Sequence, residues 1–157
     1  MITGAKQVSR RAVLGWLVGS AGASFGLLKY FSTPGPYKIH RLIPKTFVSE
    51  GLNFKGISVI LVSSEWCPPC ERQYKAFRFI ASRFYDCDGI QFASLCTQDI
   101  NMSGERMNPD TKAFFKVMGS QVNTPTTIIF KNGKEITRFI GYTSRFIIEH
   151  TILKLIK

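Results

Sequence analysis

Residues 57–70 have the sequence ISVILVSSEWCPPC, and this stretch decides the fold. The run Ile57–Val62 is apolar except for Ser58 and rich in β-branched residues, which is typical of a strand covered on both faces of a sheet. The chain then enters its longest helical pattern, predicted over Pro68–Tyr85, with Cys67 and Cys70 at the entrance. Two cysteines at this spacing, between a buried strand and a long helix, indicate redox or metal chemistry.

Cys67 and Cys70 lie at the end of the helix that favours thiolates. A helix N-terminus presents unpaired N–H groups and a partial positive charge, so a cysteine there has a lowered pKa. At about 100° per residue, Cys70 falls near the middle of an apolar arc and Cys67 at its edge. We therefore predict that Cys67 is the exposed attacking thiol and Cys70 the buried resolving thiol. The predicted core-facing residues of the arc are Cys70, Tyr74, Phe77, Ile80, Ala81 and Phe84.

The remaining segments alternate between strand and helix patterns. We predict strands at Tyr37–Leu42, Ile90–Cys96, Thr126–Lys131 and Lys134–Ile140, and helices at Pro44–Phe54, Pro109–Met118 and Thr143–Ile156. Asn132-Gly133, between the last two strands, is the strongest short signal for a β-hairpin. The order βαβαβαββα predicts an α/β fold with a central mixed sheet of about five strands flanked by helices. Thr97–Pro109 is long for a loop within a compact domain, so it is a candidate for function.

The N-terminal residues 1–31 indicate export from the cytoplasm. Basic residues precede the uncharged segment of residues 12–28, and Ser9-Arg10-Arg11 resembles the twin-arginine export signal. The uncharged segment is slightly shorter than the ~20 residues that span a bilayer comfortably. We therefore predict either a cleaved signal peptide or an N-terminal membrane anchor. Because positive charge stays on the cytoplasmic side, both alternatives place the following domain in the periplasm or its equivalent.

Residues 32–36 separate this leader from a single domain. They hold two prolines and a glycine, which stop a helix and favour an extended linker. The domain is predicted at residues 37–157, and a hydrophobic content of 45% with 13 phenylalanines argues against a disordered chain. The net charge of +11 comes from scattered residues without an Arg-rich or aromatic-interleaved run, so we predict no nucleic-acid partner.

The segment Trp66-Cys67-Pro68-Pro69-Cys70 resembles the active-site segment of the thioredoxin superfamily. Thr124-Pro125 before a strand, and Lys131-Asn132-Gly133-Lys134 followed by Gly141, match the same family further along the chain. The resemblance covers residues 37–157 and implies a thioredoxin fold in which Cys67–Cys70 is a redox-active disulfide. It also implies protein substrates that contain cysteines or disulfides. We predict neither a cofactor nor a bound metal.

The resemblance also assigns the substrate contacts. Pro125 is expected to be a cis-proline that faces the disulfide, because X–Pro is the peptide bond that adopts cis at low cost. Thr124 is expected to offer backbone groups to an extended substrate, which pairs like an added strand. The residues assigned to substrate binding are Trp66, Pro68, Pro69, Thr124 and Pro125.

The sequence departs from the cytosolic thioredoxins at several positions. Leu61 lies where many of them carry a buried Asp. Either Glu65 or water then relays the proton of the resolving thiol, or the resolving step is slower. Pro68-Pro69 resembles the membrane-tethered reductases of cytochrome maturation, whereas Thr124 resembles periplasmic disulfide isomerases. We favour a reductase that a membrane thiol relay keeps reduced. A disulfide isomerase or oxidase, and a redox-sensing or metal-binding module without catalysis, are the alternatives.

Cys87 and Cys96 are predicted to stay free. The second strand of the βαβ unit separates them, and at ~3.3 Å per residue they are too far apart for a disulfide. Cys96 ends its strand at the same edge of the sheet as Cys67, so it is either an auxiliary thiol or, as we favour, a buried inert one. The spacing of the cysteines does not match a zinc site, and neither histidine is near Cys67 in sequence.

Overall fold

The structure, a computed structural model, describes residues 34–99, 109–119 and 122–156 of the chain. The predicted leader and the first two residues of the predicted linker lie outside the described residues, as do residues 100–108 of the candidate loop. Gly35–Lys157 forms one compact unit. None of the helices in the described ranges is long and apolar enough to cross a membrane.

Five strands of the described residues build one mixed sheet, which confirms the predicted α/β class. They are β1 (His40–Leu42), β2 (Ile57–Ser63), β3 (Ile90–Cys96), β4 (Thr126–Lys131) and β5 (Lys134–Ile140). Their order is β1-β3-β2-β4-β5, with β1, β3 and β2 parallel and with β4 and β5 antiparallel to their neighbours. β1 is shorter than the predicted Tyr37–Leu42, because only its last three residues pair with β3 at the edge of the sheet.

Three α-helices cover this sheet in the described ranges. They are α1 (Pro68–Arg83), α2 (Pro109–Met118) and α3 (Arg145–Ile156). Each begins and ends within two residues of its predicted bounds. α1 and α3 pack on one face of the sheet, and α2 packs on the other. The sheet is therefore buried on both faces around β2, as its apolar run predicts.

The core has two layers, one on each face of β2. Val59 and Leu61 belong to the layer beneath α1 and α3, together with Phe77 of α1. Ile60 and Val62 belong to the layer beneath α2. All five side chains are fully buried, and each such burial contributes about 1.5–3 kcal/mol to the free energy of unfolding. β2 is thus held rigidly from both sides, and its C-terminal end leads directly to the cysteine segment.

The prediction of an α-helix at Pro44–Phe54 is wrong in type. Pro44–Thr46 forms a 3₁₀ turn and Phe47–Leu52 forms a π-helical turn. The buried Phe47 ring packs into the layer under α2, so tertiary contacts hold this segment. Gly51 is a weak helix former, and a side chain there would press on the core, since a Cβ would lie 3.1 Å from Leu42 Cδ1.

Asn132 and Gly133 form the predicted hairpin between β4 and β5. Their φ angles are 51° and 77°, the pattern of a type I′ turn. The Asn132 side-chain oxygen accepts a hydrogen bond of 2.9 Å from the backbone N–H of Gly56. This contact connects the hairpin to the start of β2 and so helps to fix the register between β2 and β4.

Candidate active site

Cys67 and Cys70 lie at the N-terminus of α1 and form a disulfide. Cys67 is the N-cap residue, and Pro68 takes the first helical position. A backbone N–H at that position has no acceptor within the helix, so a proline there costs no hydrogen bond. The two Cα atoms are 5.2 Å apart, and the backbone N–H of Cys70 donates to the Cys67 carbonyl at 2.9 Å. Cys70 is 4% exposed, whereas Cys67 is half-buried. Cys67 is therefore the more accessible of the two, as its position at the edge of the arc predicts.

Trp66 projects from the loop immediately before the disulfide. Its side chain is 97% exposed, and its φ of 54° lies in the left-handed region, which costs a non-glycine residue about 1–2 kcal/mol. Folding requires neither feature, and such backbone outliers concentrate at functional sites. Pro68 and Pro69 are also exposed. Together with Trp66 they offer an apolar surface around Cys67 that a substrate can contact.

Thr124 and Pro125 lie across the disulfide from this surface. Their peptide bond is cis, and the Thr124 hydroxyl is 4.0 Å from the Cys67 sulfur. The same hydroxyl shares a hydrogen bond of 2.9 Å with the hydroxyl of Ser64 at the end of β2. Pro125 is buried, and its carbonyl accepts a hydrogen bond from the Gly141 N–H at 2.7 Å. The structure thus confirms the expected cis peptide bond and brings the Thr124 hydroxyl near the Cys67 sulfur; the substrate contacts expected of Thr124 and Pro125 stay predictions.

Gln98 is a polar contact of the site that the sequence did not reveal. Its side-chain oxygen accepts hydrogen bonds from the Glu65 backbone N–H at 2.9 Å, from the Cys96 thiol at 2.9 Å and from the Thr97 hydroxyl at 3.3 Å. It therefore joins the end of β3 to the loop that carries Trp66. The available signal was its place just past the C-terminal end of a parallel strand, beside the active-site edge.

Gln73 is a second residue near the site that its sequence pattern did not reveal. It is fully buried on α1, whereas Tyr74, predicted to face the core, is 38% exposed. Gln73 lies within the same arc of the helix and is nearer than Tyr74 to the middle of that arc. The angle of Gln73 on the helix therefore indicates burial, although its polar side chain suggests exposure. Its side-chain oxygen accepts a hydrogen bond of 2.7 Å from the Thr143 N–H. This bond docks the segment before α3 against α1, close behind the disulfide.

The structure places no buried carboxylate of the described residues at either position considered for the proton relay of Cys70. Leu61 is fully buried in the apolar layer, and Glu65 is exposed. Glu149 is the buried carboxylate among the described residues, but it pairs with Arg83 at 3.3 Å, at the opposite end of α1. Two other buried polar atoms have no hydrogen-bond partner in the described structure: the side-chain nitrogen of Gln73 and the hydroxyl of Thr127. Thr127 lies opposite Leu61 in the register of β2 and β4.

Cys87 and Cys96 are free thiols, as predicted. Both are half-buried, so the inert thiol favoured for Cys96 is less buried than expected, and its S–H donates to Gln98. Burial and the neighbouring carboxylates of Asp86 and Asp88 raise the pKa of the Cys87 thiol. Within the described ranges, no cluster of at least three His, Cys, Asp or Glu side chains could hold a metal ion.

This arrangement suits thiol–disulfide exchange. Once the disulfide is reduced, the N–H groups and dipole of α1 stabilise a thiolate on Cys67. The Thr124 hydroxyl can donate a hydrogen bond to the same sulfur, which favours the thiolate further. Cys70 is bonded to Cys67 and shielded from solvent, so its natural target is a disulfide that Cys67 has formed.

A mixed sheet with a disulfide at the N-terminus of α1 and a cis-proline across from it defines a protein of thioredoxin fold. A solved thioredoxin from Malassezia sympodialis (Mala s 13) shares this fold with a TM-score of 0.55 at 19% identity, over 78% of this chain and 94% of that one. A curated Arabidopsis thaliana protein that carries the name thioredoxin H10 is 23% identical over 94 residues. That match covers 60% of this chain and 51% of the relative, so the chain spans about half its length. No protein-family model matches the chain.

Proposed function

We propose that the protein is a thiol–disulfide oxidoreductase that acts on protein substrates. The observation that carries the proposal is the accessible Cys67 at a helix N-terminus, bonded to the buried Cys70 and facing Thr124. A merely structural disulfide needs neither an exposed Trp66 beside it nor a hydroxyl directed at one sulfur. Proteins with the name thioredoxin are similar to this chain in fold and in part of the sequence, which supports the same activity.

The reaction proceeds through a mixed disulfide. The Cys67 thiolate attacks one sulfur of the substrate disulfide, forms a Cys67–substrate S–S bond and releases the other substrate sulfur, which takes a proton. Cys70 then loses its proton to water and attacks the Cys67 sulfur, which releases the second substrate thiol. The enzyme dithiol becomes the disulfide, and the substrate disulfide becomes two thiols. During the reaction an extended substrate segment pairs with the backbone at Thr124.

Reduction is the direction that we propose, with electrons supplied by a membrane thiol relay. Pro68-Pro69 supports this direction through its resemblance to cytochrome-maturation reductases, whereas Thr124 supports the isomerase alternative. The reduction potential of the Cys67–Cys70 pair separates them, because potentials in this superfamily span roughly −270 to −120 mV. A value near the reducing limit is expected. A value above about −180 mV would replace the reductase by an isomerase or oxidase.

The proposed compartment is the periplasm or its equivalent. The proposal depends on residues 1–31, with residues 12–28 as a signal or a membrane attachment. Fusion of residues 1–36 to a reporter that is active only after export tests the leader by itself. Export is expected to fail when Arg10 and Arg11 are both changed to Lys, if the twin-arginine signal operates. A reporter that stays in the cytoplasm with the native leader would remove this part of the proposal.

Covalent trapping tests the activity directly. The Cys70→Ser variant keeps the attacking thiol but cannot resolve the mixed disulfide, so it is expected to accumulate adducts with partner proteins in the export compartment. Dithiothreitol should release these adducts, and the Cys67→Ser/Cys70→Ser variant should form none. If Cys70→Ser captures nothing and the reduced native protein also fails to cleave a model disulfide, the oxidoreductase proposal is lost.

A further inference from the structure

Guanidinium groups stack on exposed or half-buried aromatic rings along one side of α1, beginning at the active site. The Arg72 guanidinium carbon is 4.9 Å from the centroid of the Tyr142 ring. That of Arg145 lies 5.3 Å from the Phe79 ring and 4.9 Å from the Phe146 ring. Lys75 is exposed and shares this helix face, because it is three residues after Arg72 and four before Phe79. We call this surface the cation–aromatic ridge: Arg72, Lys75, Phe79, Tyr142, Arg145 and Phe146.

Two hydrogen bonds attach the ridge to the active site. The Gly141 N–H donates to the Pro125 carbonyl at 2.7 Å, and the Thr143 N–H donates to the buried Gln73 at 2.7 Å. Tyr142, between these two anchors, is therefore held between the cis-proline and the first turns of α1. From Arg72 to Phe79 the ridge follows the helix for about 10 Å. A substrate segment that extends beyond Thr124 would reach it.

Among the residues that the structure describes, the cations of the ridge have no carboxylate partner. In the described residues Arg83 pairs with Glu149 and Arg138 pairs with Glu135, but no acidic oxygen lies within salt-bridge distance of Arg72, Lys75 or Arg145. A guanidinium stacked on a ring keeps its in-plane N–H groups free, and these match a carboxylate with two parallel hydrogen bonds. The ridge is thus oriented for anions.

The aromatic rings leave apolar surface beside these charges. Tyr142 is 49% exposed and Phe146 is 65% exposed. The fold does not require these rings outside the core, and exposed aromatic rings with arginines are typical of the centres of protein interfaces. A partner that carries both carboxylates and apolar side chains would satisfy the two kinds of group together.

We propose that the cation–aromatic ridge binds an acidic segment of the protein substrate, adjacent to the substrate cysteine that Cys67 attacks. This inference rests on the proposed oxidoreductase function and specifies its substrate class. Carboxylates pair with Arg72 and Arg145, and neighbouring apolar side chains lie on Tyr142 and Phe146. An anionic membrane surface is negatively charged like an acidic segment and could also pair with these cations. The connection of the ridge to Pro125, where the substrate backbone passes, favours a protein segment.

Three disulfide-bonded peptides of the same length test the proposal. They share the residues around the disulfide and differ on one flank, which carries Asp and Glu, Asn and Gln, or Lys. The measured quantity is the ratio of kcat/KM for the acidic peptide to that for the neutral one. Because all peptides react with the same Cys67 thiolate, the ratio cancels any change in thiol reactivity. For the native protein we expect a ratio of about ten at low salt, with the basic peptide the slowest, and a smaller ratio at high salt.

The decisive variant is Arg72→Glu/Arg145→Glu. It should lower the ratio to one or below, whereas the matched control Lys112→Glu/Lys116→Glu should keep the native ratio. The control makes the same change in net charge with two exposed lysines of α2, on the opposite face of the sheet. Tyr142→Leu removes the ring beneath Arg72 and should reduce the ratio about twofold. Thermal unfolding of every variant shows that the comparison concerns folded proteins.

The outcomes separate this inference from the proposed function. If the native protein reduces none of the peptides, the oxidoreductase function itself fails. If it reduces all three at equal rates, or if the control pair changes the ratio as much as the ridge pair, the ridge proposal fails alone. Binding to phosphatidylglycerol vesicles that Arg72→Glu/Arg145→Glu abolishes, with no change in the peptide ratio, would assign the ridge to a membrane surface instead.

Discussion

The two ends of α1 each carry a cysteine, in opposite environments. Cys67 caps the N-terminus, near unpaired N–H groups and the Thr124 hydroxyl. Cys87 lies just past the C-terminus, where the helix presents carbonyl oxygens and where Asp86 and Asp88 flank the thiol. The first environment stabilises a thiolate, and the second, together with burial, raises the pKa of the thiol. We therefore expect the same side chain to be reactive at one end of the helix and unreactive at the other.

This difference teaches that position on the helix, rather than the presence of a cysteine, determines reactivity. The N-terminal end also holds the left-handed backbone of Trp66 and its exposed ring, which bury no apolar surface in the core. The C-terminal end is an ordinary structural contact, with Arg83 paired to Glu149. Four experiments test the comparison.

The largest expected difference is in turnover. Cys67→Ser should lower the rate of peptide-disulfide reduction on the order of 10³-fold or more, because serine cannot form the mixed disulfide. Cys87→Ser should keep the native rate within about twofold, since the Cys87 thiol is protonated and partly buried at neutral pH. A steady-state assay with a fluorescent disulfide peptide measures both. A comparable loss in Cys87→Ser would contradict the assignment of Cys87 as inert.

The next difference is in the pH profile of alkylation. In the reduced protein at pH 7, Cys67 should react with iodoacetamide about tenfold faster than Cys87, because a large excess of thiolate is partly offset by its lower nucleophilicity. Asp86 and Asp88 disfavour the Cys87 thiolate, so Asp86→Asn/Asp88→Asn should lower its pKa and shift its profile to lower pH. Peptide mass spectrometry follows both sites. Burial raises the Cys87 pKa more than the two carboxylates do, so the double variant should reduce the difference between the Cys67 and Cys87 profiles only in part. An unchanged Cys87 profile would refute the electrostatic contribution.

A smaller effect is expected from the hydroxyl beside Cys67. Thr124→Val keeps the shape of the side chain but removes the donor 4.0 Å from the sulfur. A hydrogen bond to a thiolate contributes about 1 kcal/mol, so the Cys67 pKa should rise and its titration should move to higher pH. Ultraviolet absorbance of the thiolate during pH titration measures the shift. Ser64→Ala, which removes only the partner of Thr124, serves as the control and should move the pKa less.

The smallest effect concerns the backbone before the disulfide. Trp66→Gly removes the cost of the left-handed conformation, so the free energy of unfolding should rise by about 0.5 kcal/mol despite the loss of the ring. Trp66→Ala is the matched control, because alanine keeps the backbone cost and should not stabilise the protein. Denaturant unfolding of the oxidised proteins measures the difference. Equal stability of the two variants would show that no strain is stored at this residue.

Much of the fold was predictable because its signals are local. The apolar run of β2, the helical pattern of α1 and the Asn132-Gly133 turn each depend on neighbouring residues, and all three are confirmed. The segment after Pro44 was predicted with the wrong helix type, because the burial of Phe47 outweighs local propensity there. Local patterns therefore identify elements better where the backbone follows one regular period.

The candidate site was predictable only in part. Cys67, Cys70 and Pro125 follow from spacing and resemblance, and the structure brings them together. Gln98 and Gln73 could not be assigned, since their partners lie far along the chain and polarity suggested exposure. Tyr74 is more exposed than predicted because it lies at the edge of the apolar arc, where a long side chain reaches solvent.

The sequence by itself determined the α/β order, the place of the disulfide segment and the difference in burial between Cys67 and Cys70, because a strand, a helix N-terminus and an apolar arc are properties of contiguous residues. Only the tertiary structure decided which groups surround the sulfur and what lies beside it. The approach of Thr124 to Cys67, the bridging by Gln98 and the stacking of Arg72 on Tyr142 depend on how separate elements pack on the sheet. No local pattern encodes such contacts, since each joins segments that only folding brings together.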